Sequence, residues 1–255
     1  MTERLPLFPL GSVLFPGLLL PLHVFEERYR RLVADLEAGP EPHRFGVVAI
    51  RDGREVAPTG PGVPDGSSSG PMAGFGQDPA QAFHTVGCVA EVATVRPQPD
   101  GGYELLASGT TRFRVLSIDT TGDYLVAETE PIPEDPEVRE EGKPWEEPAD
   151  GSGVPQALVG AVLRAFREYQ KRLAGAREAS LAESQELPDD PTVLSYLVAA
   201  ASVLEVPVKQ RLLAAAGSAE RLSQELELLR RETAVLGWLP SLPAVDLTRR
   251  AFSPN

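Results

Sequence analysis

The side chains that could do chemistry in this chain are few. There are three histidines (His23, His43 and His84), one cysteine (Cys88) and three lysines (Lys143, Lys171 and Lys209). No histidine has a second histidine or a carboxylate at a spacing that suggests a metal site or a nucleophile triad. A single cysteine rules out an internal disulfide and a cysteine-rich metal site; in an alternating strand it reads as a small buried hydrophobe. The glycines Gly60, Gly62, Gly74 and Gly76 invite comparison with a phosphate-binding loop. Neither GxxxxGK(S/T) nor a GxGxxG linking strand to helix occurs, so a floppy insertion is the better reading. The expectation is no catalytic residue, no cofactor and no metal.

The segment HVFEERY at residues 23–29 holds His23, Glu26, Arg28 and Tyr29, which are site candidates only through the family resemblance that this segment carries. Glu26 opens a helix, and negative charge suits the positive end of the helix dipole. An ion pair or a turn-fixing hydrogen bond is the expected work of Glu26 and Arg28, ahead of ligand recognition. His23 is expected to pack or hydrogen-bond structurally. On a later strand Arg112 and Arg114 alternate with Phe113 and Val115; a solvated face is their default, contact with an anionic partner the alternative.

The elements that must position these residues begin with an uncharged stretch, Leu5 to Phe25 (LPLFPLGSVLFPGLLLPLHVF). Its length would cross a bilayer. Pro6, Pro9, Pro16 and Pro21 argue against one helix, since each interior proline costs about 3 kcal/mol there. They leave strand-length runs, Leu10 to Phe15 and Leu18 to Val24. Glu3 beside Arg4 and the lack of a clean cleavage site make the stretch a poor signal peptide. The expectation is a soluble, cytoplasmic protein. From Phe25 the period becomes helical, with Phe25, Tyr29, Leu32, Val33 and Leu36 on one face, and Gly39-Pro40 stops that helix. Strands are expected at Phe45–Ile50, Cys88–Arg96, Tyr103–Ser108, Thr111–Ile118 and Tyr124–Glu130, and a long mobile loop over 52–82.

Residues 131–153 are rich in proline and acid and read as a linker, with Trp145 its one large apolar residue. Beyond it the pattern is helical. Leu158, Val162, Phe166, Tyr169 and Leu173 form a stripe. Asp190-Pro191 has the form of an N-cap with proline at the first helical position. A final helix after Ser218 turns Leu222, Leu226, Leu229, Thr233 and Leu236 inward. The expected organisation is a β-unit over 1–130, a linker over 131–153, a helical bundle over 154–240 and a tail over 241–255. The fold class is α+β: a small barrel or sandwich with one early helix, then a bundle.

The formal charge is −13. The acid excess lies in residues 1–153, and residues 154–255 balance. Net negative charge opposes non-specific binding to nucleic acid or an anionic membrane, although it leaves room for a local basic patch.

LPLFPLGSVLFPGLLLPLHVFEERYRRL resembles the opening of the Lon protease N-terminal domain, particularly its stand-alone versions. FGVVAI, GCVAEVATV, GTTRFRV and the helical segment DDPTVLSYLVAAASVLEVPVKQRLLAAAGSAERLSQELELL continue the resemblance. It covers nearly all of the chain except 52–82, the acidic linker and the last fifteen residues. The resemblance implies a PUA-like β-barrel followed by a helical bundle, and a part in substrate recognition and assembly. Lon-type ATP hydrolysis and proteolysis belong to other domains. The serine–lysine arrangement of the Lon catalytic segment has no counterpart around Lys143, Lys171 or Lys209. The resemblance therefore implies a non-enzymatic module that binds proteins or unfolded peptides, with a separate protease or chaperone as a partner. RNA binding is the alternative, by analogy of fold.

Overall fold

A computed structural model describes residues 2–51, 70–76, 78–134, 154–183 and 187–238. Trp145, Lys143, most of the acidic linker and the 241–255 tail lie outside the described residues. The opening stretch forms β1 (Glu3–Leu10) and β2 (Leu19–Val24), followed by α1 (Glu27–Ala38) and β3 (Arg44–Ala49). The first strand therefore lies earlier than the expected Leu10–Phe15 run and passes through Pro6 and Pro9. It tolerates them because it pairs with one neighbour at a time. Residues 3–6 run antiparallel to β6 (Val126–Ile132), and residues 7–10 run parallel to β3. A proline fits where its missing N–H faces the unpaired side.

The remaining strands are β4 (Val86–Pro97) and β5 (Tyr103–Asp119), with the short helix α2 (Pro79–Ala82) before them. The two runs expected at 103–108 and 111–118 are one bent strand. Its bend is at Gly109, where a Cβ would collide with the Phe15 carbonyl. The sheet order is β2-β5-β4-β3-β1-β6, and a further β5–β6 pairing closes five of the strands into a circuit. Alternating side chains then feed two clusters. Phe8, Val47 and Cys88 pack with Tyr29, Leu32 and Val33 of α1. Leu7, Val48, Val89 and Phe113 pack together in the other. Gly87 lies so close to the Phe113 ring and the Val47 carbonyl that no side chain fits there.

Of the loop expected over 52–82, residues 52–69 lie outside the described residues, and its C-terminal end packs into the β-unit. Phe75, Ala82 and Phe83 belong to the second cluster, and the Asp78 carboxylate caps α2 by accepting from the Ala80 N–H at 2.9 Å. Burying these apolar side chains offsets the entropy of ordering the segment.

Four helices follow: α3 (Gln156–Glu183), α4 (Pro191–Ala201), α5 (Val206–Ala214) and α6 (Ser218–Trp238). Val162, Phe166, Tyr169, Leu194, Val198, Leu222 and Leu229 form their core. Leu173, expected in the stripe, is 47% exposed. Asp190 caps α4 through the amides of Thr192 and Val193. The two units also share a core, in which Phe15 and Val86 of the β-unit pack with Tyr196, Ala199, Leu212 and Leu213.

Candidate functional site

Three of the four sequence candidates meet. Arg28 is buried and donates to the Glu26 carboxylate at 2.8 Å. Glu26 sits at the N-cap of α1 but makes no cap bond, because Arg28 takes its carboxylate in place of the helix amides. The other guanidinium nitrogen of Arg28 donates to the carbonyls of Pro71 (3.1 Å) and Ala73 (2.8 Å). The Arg28 carbon lies 4.7 Å from the centre of the Tyr29 ring and 4.6 Å from that of Phe75, a cation–π contact on both sides. Tyr29 stacks on Phe8 with ring centres 4.1 Å apart. Arg28 thus clamps segment 70–76 onto α1. His23 stands apart, exposed on β2, its ring 6.0 Å from that of the half-exposed Phe25.

Arg112 is not on a solvated face. It is fully buried, and only Arg114 is exposed. The sheet that looked open from strand alternation is covered at Arg112 by the helical unit. Arg112 donates to Glu134 at 2.8 Å and to the carbonyls of Leu213 (2.9 Å) and Ala215 (2.6 Å) at the C-terminal end of α5. Arg221 of α6, equally buried, donates to the Leu212 carbonyl, the Ser195 hydroxyl and the Tyr196 hydroxyl. Tyr196 in turn donates to Glu134. Burial chiefly, then Glu134, pushes the Tyr196 phenol up, so it stays protonated. Gln210 adds a further bond across the two units, to the Val86 carbonyl at 2.7 Å. Sequence reading missed Glu134, Tyr196, Gln210 and Arg221. The available signal was Arg221 and Glu225, charged residues at positions of α6 that share the face of Leu222 and Leu229.

Glu225 is buried, and neither carboxyl oxygen has a hydrogen-bond partner among the described residues. Burial drives its carboxyl well above the ordinary range, with Arg221 only partly opposing. Burial likewise pushes the Cys88 thiol up to about 12, which makes it an inert core residue. Among the described residues no group of three His, Cys, Asp or Glu side chains could hold a metal. No described helix is long and apolar enough to cross a membrane.

The recesses of the surface are therefore the places that could take a ligand. One, about 420 Å³, lies over β2, β4 and β5 with Pro21, Leu22, His23, Arg96 and Glu104 in its lining. Leu19 and Phe25, 68% and 50% exposed, flank it in sequence. β2 is the end strand of the sheet. The Gly109 N–H donates to the Leu18 carbonyl at 2.8 Å, so alternation turns the backbone of Leu19, Pro21 and His23 to the open edge. Pro21 has no N–H to offer there, which blunts the edge against strand addition. A second recess, about 470 Å³, runs between α3 and α6. A third, about 580 Å³, runs between α5 and α6.

Comparison with known proteins accords with this architecture. The family model of the ATP-dependent protease La (LON) substrate-binding domain matches residues 4–231. Lon protease 2 of Syntrophobacter fumaroxidans is 33% identical over 138 residues, covering 53% of this chain and 14% of that protein. Lon protease of Escherichia coli K12 is 25% identical over 234 residues, covering 91% of this chain and 25% of that protein. The chain thus spans a quarter or less of the length of these relatives. In fold it is similar to a Lon N-terminal domain protein from Xanthomonas campestris, with a TM-score of 0.52 and 22% identity over 93% of this chain and 99% of that one. It is also similar to the N-terminal domain of Mycobacterium avium complex Lon protease, with a TM-score of 0.56 and 15% identity over 91% and 98%.

Proposed function

The chain belongs to the Lon substrate-binding domain family, and from that premise we propose that it is a non-enzymatic module that binds protein or unfolded-peptide clients. The observation that carries this reading is the extent of the family match, which runs through both the β-unit and the helical unit. Half-exposed apolar side chains beside recesses, such as Leu19 and Phe25, support it, because exposed apolar surface next to a cleft suits segments that unfolded chains display. The buried polar joint holds the two units in one arrangement, so recesses on both can serve one client. A separate protease or chaperone acts on what the module holds, and the module works in the cytoplasm. His23, Glu26, Arg28 and Tyr29 serve structure rather than chemistry: Arg28, flanked by Glu26 and Tyr29, holds segment 70–76, and His23 borders the β-unit recess.

The acidic excess opposes the RNA-binding alternative. Fluorescence anisotropy with labelled, reduced and carboxymethylated lactalbumin tests the reading directly. Saturable binding of the unfolded chain, with the native protein a poor competitor, is the expected result. Absence of binding to any unfolded chain, or tighter binding of a labelled oligouridine at physiological salt, contradicts it.

A further inference from the structure

We infer that the recess between α3 and α6 is a docking groove for an acidic amphipathic helix of a protein partner. The inference rests on the protein-binding reading and names one surface and one ligand chemistry for it. The floor is apolar and small, formed by Ala161 and Ala165 of α3 and Ala234 of α6. The rim is cationic, with Arg164 and Arg172 on one side and Arg230 on the other. In a chain of formal charge −13, this is a local reversal of sign. Glu168 is the one carboxylate in the lining, and it accepts from Arg172 at 2.7 Å. Among the described residues Arg164 and Arg230 have no carboxylate partner. The helical stretch of Gly237 leaves room for the Arg172 guanidinium, since a Cβ there would collide with it. The Thr233 hydroxyl, in the lining, also lacks a hydrogen-bond partner among the described residues.

Charge complementarity selects the occupant. Two parallel helices with small residues between them leave a channel that takes the apolar stripe of a third helix. Carboxylates flanking that stripe meet the guanidinium forks, which recognise them in two-point contacts. A nucleic acid fits less well, because the floor has no aromatic ring on which a base could stack.

The test uses the full chain and a fluorescein-labelled helical peptide of about 18 residues, with leucine at i, i+3, i+4 and i+7 and glutamate elsewhere. Its lysine-for-glutamate counterpart and oligouridine are run beside it. The acidic peptide is expected to bind, severalfold more weakly as salt rises from roughly 0.05 to 0.5 M. The double variant Arg164→Glu/Arg230→Glu is expected to bind it about tenfold more weakly. The variant Arg4→Glu/Arg114→Glu, with the same charge change on the exposed face of the β-unit, should bind it as the parent does. Circular dichroism shows whether each variant is folded. Equal binding of the basic peptide, preference for oligouridine, or no effect of the double variant overturns the inference. So does tightening of peptide binding by tenfold or more when the acidic stretch 135–153 is replaced by glycine and serine, which would make that stretch the occupant. Unfolded lactalbumin is titrated on the same samples. If it binds the double variant and the parent alike, the groove assignment fails while the protein-binding reading stands.

Discussion

The C-terminal end of α5 presents its carbonyls to two buried arginines from different units. Arg112 reaches Leu213 and Ala215, and Arg221 reaches Leu212. Removing one member of such a set strands the rest, so Arg112→Met is expected to cost about 3–5 kcal/mol, measured by urea unfolding. A loss near zero would mean that Glu134 and the carbonyls find water instead. Glu225 should behave in the opposite sense. Its carboxyl is raised when folded above the ordinary glutamate value of 4.5, so above that pH the folded state holds a proton that the unfolded state releases. Stability from this group is then fully present below about pH 4.5 and falls as pH rises towards the raised value. Glu225→Met removes the orphaned carboxyl and should add about 1 kcal/mol at neutral pH while flattening that pH dependence. A destabilised variant would show that Glu225 has a partner role in holding Arg221. Arg112 did not declare itself in sequence, because an arginine on a strand is exposed by default and burial depends on what tertiary packing lays over it; Glu225 was marked only by sharing a helix face with Leu222 and Leu229.

At the scale of elements, α1, the β4 and β6 strands and the four later helices were legible, since their apolar periods and caps are local signals. Asp190-Pro191 is the plainest case, with its side chain on the Thr192 and Val193 amides. The placement of β1 was not legible. The prolines, read as breakers, left Leu10–Phe15 as the first strand-length run, and the switch of partner from β6 to β3 explains how a strand forms at Glu3–Leu10 in spite of Pro6 and Pro9. The end of the glycine-rich segment was equally hidden. Its composition reads as loop, but Ala73 and Phe75 are buried and two carbonyls are held by Arg28. Arg28→Lys keeps the charge but loses the fork that reaches Glu26 and the two carbonyls together. The amides of Ala73 and Phe75, bonded to the Gly70 and Met72 carbonyls, should then exchange hydrogen at least about tenfold faster, the loss of roughly 1.5 kcal/mol expected for bonds to a charged group. Unchanged exchange would show that Phe75 alone anchors the segment.

Across the whole molecule, the candidate surfaces lie on both units, and what makes them one object is the joint. Phe15 and Val86 share a core with Tyr196, Ala199, Leu212 and Leu213, and the Arg112, Arg221 and Gln210 bonds surround it. A boundary read from composition at residues 131–153 could not reveal this, since Ile132 packs against the shared core and Glu134 joins the polar network. The two units should therefore unfold together. Calorimetry is expected to give one transition with calorimetric and van't Hoff enthalpies in agreement, and two resolved transitions would argue for independent units. The family match supplies the substrate-binding reading, and the fold supplies surfaces without a catalytic constellation assigned to them. The most direct test combines both parts of the claim in one sample. Labelled casein is titrated with the protein in the presence of ATP and magnesium, while anisotropy reports binding and mass spectrometry reports fragments. Saturable binding of casein that stays intact is the predicted result; casein that remains free, or is cut, contradicts the account.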